Sequence, residues 1–267
     1  MDPKTFDRFR EIVYAHSGIA LSPGKESLVS ARVGKRMRAL GLSDFDDYLR
    51  RLQDDASGEE TVQLLDAIST NVTSFFREPE HFDFVAHACA GWMREGKRRF
   101  RFWSAASSTG EEPYSLSMTL LETFGSTVDD WRILATDIST RVLQKAQEAV
   151  YKGDALKTVS AAYRDRYFRA VRGEDEVRYQ VKEHVRQRVV YRRLNLSTPP
   201  FPMKGPLDIV FCRNVMIYFD NEVRSRLLSE ITRLLKPGGY LLVGHAESLT
   251  GLMCSLKAVR PSVYVRP

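Results

Sequence analysis

The chain has 267 residues, 43% hydrophobic and 28% charged, with a mass of 30.5 kDa and a mean hydropathy of −0.32. That balance excludes a chiefly disordered chain, and no apolar run approaches the roughly 18 residues a membrane-spanning helix needs. The net charge of +6 favours an anionic partner.

The opening MDPKTFDRFR has no apolar signal core. Cys89, Cys212 and Cys254 make neither a metal-spaced pair nor a disulfide framework. A cytoplasmic setting is expected. Phe6, Phe9, Ile12 and Val13 then recur at helical steps behind Asp2-Pro3, and Gly18 ends the helix. Ser22-Pro23 opens a second helix, with Leu28, Ala31 and Met37 on one side and Arg32, Lys35 and Arg36 on another, up to Gly41. Ser43 caps a third, carrying Phe45, Tyr48, Leu49 and Leu52. Val62, Leu65 and Ile68 make a fourth stripe after Ser57-Gly58. Residues 1–70 are therefore expected to form an all-helical domain, and 71–97, broken at Glu78-Pro79, a linker and lid.

From residue 98 strands and helices alternate. Arg99–Ala105, Arg132–Thr136, Leu207–Cys212, Tyr240–Gly244 and Ser262–Val265 read as strands. Residues 112–124, 139–149 and 221–235 read as helices, the last stopped by Lys236-Pro237-Gly238-Gly239. Such alternation with apolar strands predicts an α/β fold, a doubly wound, mostly parallel sheet over residues 98–267. Residues 151–193 interrupt it. They hold twelve Lys/Arg against six acids, and the alternation at Val177, Tyr179 and Val181, with a second run at Val185 and Val189–Tyr191, predicts an inserted antiparallel hairpin.

In a doubly wound sheet ligands bind beyond the carboxyl ends of the strands. The first strand leads into Ala105-Ala106-Ser107-Ser108-Thr109-Gly110-Glu111-Glu112, a small-residue loop with two acids. It matches neither the dinucleotide fingerprint nor a P-loop, and its acids suit a cationic ligand better than a pyrophosphate. After the second strand, Asp137 accepts ribose hydroxyls or caps the next helix. Loop and acid together favour a nucleoside with a positive charge, which describes S-adenosylmethionine. Asn214, at the mouth of the strand ending in Cys212, needs a hydrogen-bond partner. The cluster Thr70-Asn71-Val72-Thr73-Ser74-Phe75-Phe76-Arg77 reads as a capped helix start or as a lid that aims Arg77 at an anion.

These stretches, namely TNVTSFFREPEHF (70–82), RFWSAASSTGEEPYSLSM (101–118), ILATDISTRVLQKA (133–146), RRLNL (192–196), FCRNVMIYFD (211–220) and LLKPGGYLLVGHAESL (234–249), resemble the chemotaxis receptor methyltransferases, the CheR family. The resemblance implies a class I S-adenosylmethionine-dependent methyltransferase fold and a protein-glutamate O-methyltransferase that esterifies receptor glutamates and releases S-adenosylhomocysteine. By motif match it places cofactor contacts on Asn71, Thr73, Arg77, Glu112, Asp137, Asn195, Leu196, Asn214 and Val215, and substrate placement on Arg77 and Tyr218. No metal is implied. The implied partners are the cytoplasmic helices of methyl-accepting receptors, met by the basic face of Arg32, Lys35, Arg36 and Arg38. In some members a receptor C-terminal tail adds to the β-subdomain. A monomer without nucleic-acid partner or membrane insertion is expected. Two rivals are a nucleic-acid methyltransferase, which the basic pI favours but the absence of a [DN]-P-P-[FYW] tetrad after the fourth strand opposes, and a non-catalytic S-adenosylmethionine-binding protein.

Overall fold

Asp2 and Pro3 start the first helix as their chemistry dictates: the Asp2 carboxylate accepts from the Thr5 N–H at 3.1 Å, and proline occupies a position whose N–H has no helical partner. The computed structural model describes residues 1–172, 176–252 and 254–267. Four helices, α1 (Pro3–Ser17), α2 (Glu26–Ala39), α3 (Phe45–Asp54) and α4 (Glu59–Ile68), bury Phe6, Phe9, Val29, Val33, Tyr48, Leu49 and Leu64 in a core of their own.

Two local expectations change here. Helix α2 begins at Glu26, and its inward stripe is Val29, Val33 and Met37; Leu28 is 41% exposed and Ala31 also faces solvent. The i, i+4, i+8 spacing of those three residues outweighs the pattern read from Leu28. The cap of α3 is Asp44, whose carboxylate accepts from the N–H groups of Asp46 and Asp47, rather than Ser43.

Residues 80–94, expected within a linker, are helix α5 (Glu80–Arg94), with Phe82, Val85 and Cys89 buried. Pro79 stands at its start, where proline is tolerated, so the apparent break is a beginning. The chain continues through β1 (Arg99–Ser104), α6 (Glu111–Phe124), β2 (Asp130–Asp137), α7 (Thr140–Glu148), β3 (Val150–Lys152), α8 (Ala161–Tyr167), β4 (Phe168–Arg172), β5 (Val177–Val181), α9 (Glu183–Arg186) and β6 (Val189–Arg193). It ends with β7 (Leu207–Phe211), α10 (Asn221–Leu234), β8 (Leu235–Leu242), β9 (Lys257–Arg260) and β10 (Val263–Val265).

The main sheet runs β6-β2-β1-β7-β8-β10-β9; the first five strands are parallel and the last two antiparallel. All of β7 is buried, as a strand covered on both faces must be. Phe82, Phe102, Tyr114, Trp131 and Phe211 fill one face, and Trp103, Val210, Leu227, Ile231 and Leu241 the other. From β1 the chain winds outward to β2 and then returns to β7 on the other side. That reversal opens a crevice at the strand ends.

The insertion differs from the expected hairpin. Its sheet is β3-β5-β4, with Phe168 opposite Val181; residues 173–175 lie outside the described residues. Val189–Arg193 instead pairs in parallel with β2 at the edge of the main sheet, where Val189 and Tyr191 are buried. Lys236–Gly239 does follow the end of α10, yet it forms the first half of β8, with the Gly238 N–H donating to the Arg266 carbonyl at 2.8 Å.

Candidate active site

A cavity of about 340 Å3 occupies the crevice, bordered by Asn71, Thr73, Arg77, Glu112, Asp137, Asn195, Leu196, Asn214, Val215 and Tyr218. Every site residue expected from sequence therefore reaches one cleft.

Gly110, at φ +97°, ends the loop after β1; a Cβ there would lie 2.9 Å from the Tyr151 hydroxyl oxygen, so glycine is required on both counts. Glu112, in the first turn of α6, borders the cleft. Its Oε1 accepts from Ser104 Oγ at 2.7 Å and its Oε2 from Arg213 Nη1 at 3.0 Å. Burial raises its pKa, and the nearby Arg213 only partly opposes that. Glu111 is buried away from the cleft lining and accepts from Thr109 Oγ1 at 2.6 Å. Of the two adjacent acids, Glu112 is the one placed to meet a ligand.

Asp137 ends β2. Its Oδ2 accepts from the Ser108 N–H at 2.9 Å and its Oδ1 from the Ser139 N–H at 3.0 Å. Ser139 caps α7 through Val142, so the capping role belongs to Ser139. Burial raises the Asp137 pKa against those backbone bonds. One lone pair on each carboxylate oxygen remains for a ligand.

Beyond β7 the chain turns sharply through Asn214 at φ +56°. Glu247 holds that turn. Its carboxylate accepts from the N–H groups of Asn214 (2.7 Å), Val215 (3.0 Å), Met216 (2.8 Å), Ile217 (3.3 Å) and Gly244 (2.7 Å). Gly244 must be glycine, because a Cβ there would lie 2.4 Å from Asn214 Nδ2. Glu247 thus aims Asn214, Val215 and Tyr218 without bordering the cleft itself. Cys212 is fully buried, and burial lifts its thiol pKa well above the ordinary value, so it is a core residue rather than a nucleophile.

The 70–77 segment crosses the cleft. Phe75 anchors it, fully buried and edge-on to Tyr151 at 4.9 Å and Phe168 at 5.3 Å; burying such a ring contributes about 1.5–3 kcal/mol. The Phe76 N–H donates to Ser115 Oγ at 2.9 Å, and Arg77 Nη1 donates to the Val72 carbonyl at 3.1 Å. Arg213, with 1% of its side chain exposed, pairs with Glu78 at 2.9 Å and donates to the Arg77 carbonyl at 2.5 Å. It fixes both the lid and Glu112. Sequence reading quoted Arg213 in a motif but gave it no part in the site.

The helical domain closes the cleft from above, through Ile19–Ser22, Lys25, Leu28 and Arg32. The Ala20 N–H donates to the Tyr218 carbonyl at 2.8 Å, and Tyr14 Oη donates to Asp220 at 2.5 Å. Asn195 Nδ2 donates to the His16 carbonyl at 2.9 Å. The expected uniform basic face is divided. Arg36 is bound to the Glu60 carboxylate through Nε at 2.9 Å and Nη2 at 2.6 Å, while Arg32 turns to the Ile68 carbonyl and the Thr70 hydroxyl beside the cleft. Burial raises the Glu60 pKa, but bonds from Arg36 and Tyr48 outweigh it and hold the carboxyl below its usual range. Lys35 and Arg38 remain exposed.

The family model described as the CheR methyltransferase all-alpha domain matches residues 4–69, and that of the CheR methyltransferase SAM binding domain matches 71–265. The chain belongs to the CheR family. It is similar to the chemotaxis protein methyltransferase of Escherichia coli, 39% identical over 248 residues covering 92% of this chain and 85% of that one. The Salmonella typhimurium protein of the same name is 38% identical, covering 97% and 88%. Chemotaxis protein methyltransferase 2 of Pseudomonas aeruginosa is 39% identical, covering 97% and 91%. This CheR chain is thus an S-adenosylmethionine-dependent methyltransferase with the class I fold. The cleft suits that cofactor chemically: Glu112 in the first turn of α6 and Asp137 at the end of β2 offer accepting lone pairs, and Asn71, Thr73, Asn195 and Asn214 add neutral polar groups. No helix among the described residues is long and apolar enough to cross a membrane.

Proposed function

We propose that this CheR protein methylates glutamate side chains on the cytoplasmic helices of chemotaxis receptors, releasing S-adenosylhomocysteine. When bound, S-adenosylmethionine supplies a methyl carbon activated by its positive sulfur. Asp137 would receive the ribose hydroxyls. Glu112 would face the cationic portion, with Asn71, Thr73, Arg77, Asn195, Leu196, Asn214 and Val215 completing the binding wall. Arg77 and Tyr218 would place the acceptor carboxylate.

The observation that carries this reading is the make-up of the cleft. Among the described residues its lining includes neither histidine nor cysteine, and its two carboxylates, Glu112 and Asp137, are already bound to Ser104, Arg213 and backbone N–H groups. A glutamate acceptor needs neither a general base nor a thiol, because its pKa of about 4.3 leaves it ionised at neutral pH. The chain's residues then have to align the acceptor and exclude water, and orientation of this kind is worth roughly 7–11 kcal/mol in favourable systems. Arg77 serves as a positioning contact, since a guanidinium that gripped the carboxylate too tightly would blunt its attack.

The test is transfer of tritiated methyl from S-adenosylmethionine to the cytoplasmic fragment of a chemotaxis receptor, with RNA in parallel. Volatile methanol released by mild base is the expected product of a carboxyl ester. Base-stable label on RNA, or binding without transfer to either, would overturn the proposal.

A further inference from the structure

Glu78, His81 and His245 form a cluster that methyl transfer does not use, and none of them borders the cleft. Glu78 follows the segment that crosses the cleft, His81 lies in the first turn of α5, and His245 stands in the turn after β8. Among the described residues they are the one group of three histidine, cysteine or carboxylate residues whose donor atoms converge, all within 4.8 Å of one another. Glu78 Oε2 is 3.5 Å from His81 Nδ1 and 3.9 Å from His245 Nε2. Ligands held tetrahedrally at about 2.1 Å from a metal stand about 3.4 Å apart. Both separations are close to that value, so small side-chain shifts suffice to close the set on an ion.

Burial makes this more than chance proximity. His81 is 1% exposed, and neither of its ring nitrogens has a hydrogen-bond partner among the described residues. A buried polar side chain left in that state is rare and costly. Glu78 is held at φ +56°, a left-handed conformation uncommon for any residue but glycine. Its Oε1 accepts from the His245 N–H at 3.4 Å, which turns Oε2 toward the two imidazoles. The His245 side chain is 55% exposed and gives an ion a way in.

Charge points the same way. Arg213 lies 2.9 Å from Glu78 Oε2 and 3.0 Å from Glu112 Oε2. Glu80, half exposed and paired with His245 Nε2, adds a third carboxylate. One guanidinium therefore stands among three acids, a deficit that a divalent cation makes good.

We infer that Glu78, His81 and His245 bind a divalent transition metal of the zinc class, with Glu80 closing the shell. Two imidazoles among the donors favour such an ion over magnesium or calcium, which take oxygen ligands. The metal would replace the Glu80–His245 contact. It would pin the end of the segment crossing the cleft to the loop that carries Gly244 and Glu247, so its role is to clamp rather than to react. Protons and metal compete for imidazoles, so any pH dependence of His81 belongs to the metal-free protein. The inference is independent of which group accepts the methyl.

The experiment strips the full chain with a chelator and titrates it with Zn2+ alone at neutral pH, by calorimetry and thermal melting. One ion should bind with a Kd of about 1 μM or tighter. The melting temperature should rise by about 5 °C at a hundredfold excess over Kd. Mg2+ at the same concentration should do neither. His245→Ala, at a half-exposed turn, should weaken Zn2+ binding at least about tenfold, and Glu80→Gln by a smaller factor. His87→Ala, an exposed histidine elsewhere on α5, should leave it unchanged. Co2+ in place of Zn2+ should give the intense visible absorption of a tetrahedral site, lost in His245→Ala. Absence of saturable Zn2+ binding would overturn the inference. So would an affinity that His245→Ala and Glu80→Gln leave intact, or one that His87→Ala lowers as much, since the ion would then sit elsewhere.

Discussion

Arg213 and Glu112 are joined by a 3.0 Å bond between two side chains removed from solvent, one from the turn after β7 and one from the first turn of α6. The same guanidinium pairs with Glu78. One cation thus offsets two carboxylates, of which Glu112 borders the cleft. Arg213→Met would strand both, and breaking a buried pair in this way costs about 3–5 kcal/mol. Urea unfolding of the variant at neutral pH should show that loss. Part of it should return on mild acidification, because a buried carboxyl with a raised pKa binds its proton more readily in the folded state.

Asp137→Asn should weaken S-adenosylhomocysteine binding by about ten- to a hundredfold in calorimetry. The amide keeps one acceptor but presents an N–H where a backbone N–H now donates, and it removes the charge that strengthens hydrogen bonds from hydroxyls. Unchanged affinity would exclude Asp137 from the ribose site.

Glu247 separates positioning from contact. Glu247→Gln leaves one good acceptor and turns an NH2 group toward amide donors. Both cofactor affinity and turnover should fall, by about tenfold or more, with Glu247→Asp recovering part of the loss. The paired decrease distinguishes it from Tyr218→Phe and Arg77→Ala. Those two should reduce kcat by about a hundredfold and leave the unfolding midpoint almost unmoved, since both side chains border an open cavity. Stopped-flow methyl transfer with thermal melts makes the comparison.

His81 gives the fold a pH dependence. Burial, reinforced by Arg213, lowers its pKa from 6.5 to about 4 despite Glu78 and Glu80 nearby. The unfolded chain takes up this proton at a higher pH than the folded one. Stability from His81 is therefore complete above pH 6.5 and declines as pH falls toward 4, by as much as about 3 kcal/mol. The raised pKa values of Glu112 and Asp137 act in the opposite sense, so the check is the difference between wild type and His81→Gln. The gap in unfolding free energy should shift across that window and stay constant above it.

Much of this site was legible because it obeys a rule of position. Glu112 and Asp137 stand just past apolar strands, where doubly wound sheets bind ligands, and local sequence suffices to place them. Glu247 and Arg213 were missed because their roles exist only across space: five amides converge on one carboxylate, and three chain segments meet at one guanidinium. Alternating residues at 189–193 suit either a hairpin or a sheet edge, and only burial against β2 decides. Leu28 misled the reading of α2 because an apolar residue was assumed to face inward, when it stands at the mouth of the cleft.

The Ala20–Tyr218 and Tyr14–Asp220 bonds mean that the first twenty residues help shape the chamber in which the methyl moves. Exchanging the helical bundle between relatives would therefore alter the wall of the cleft along with the bundle's own surface.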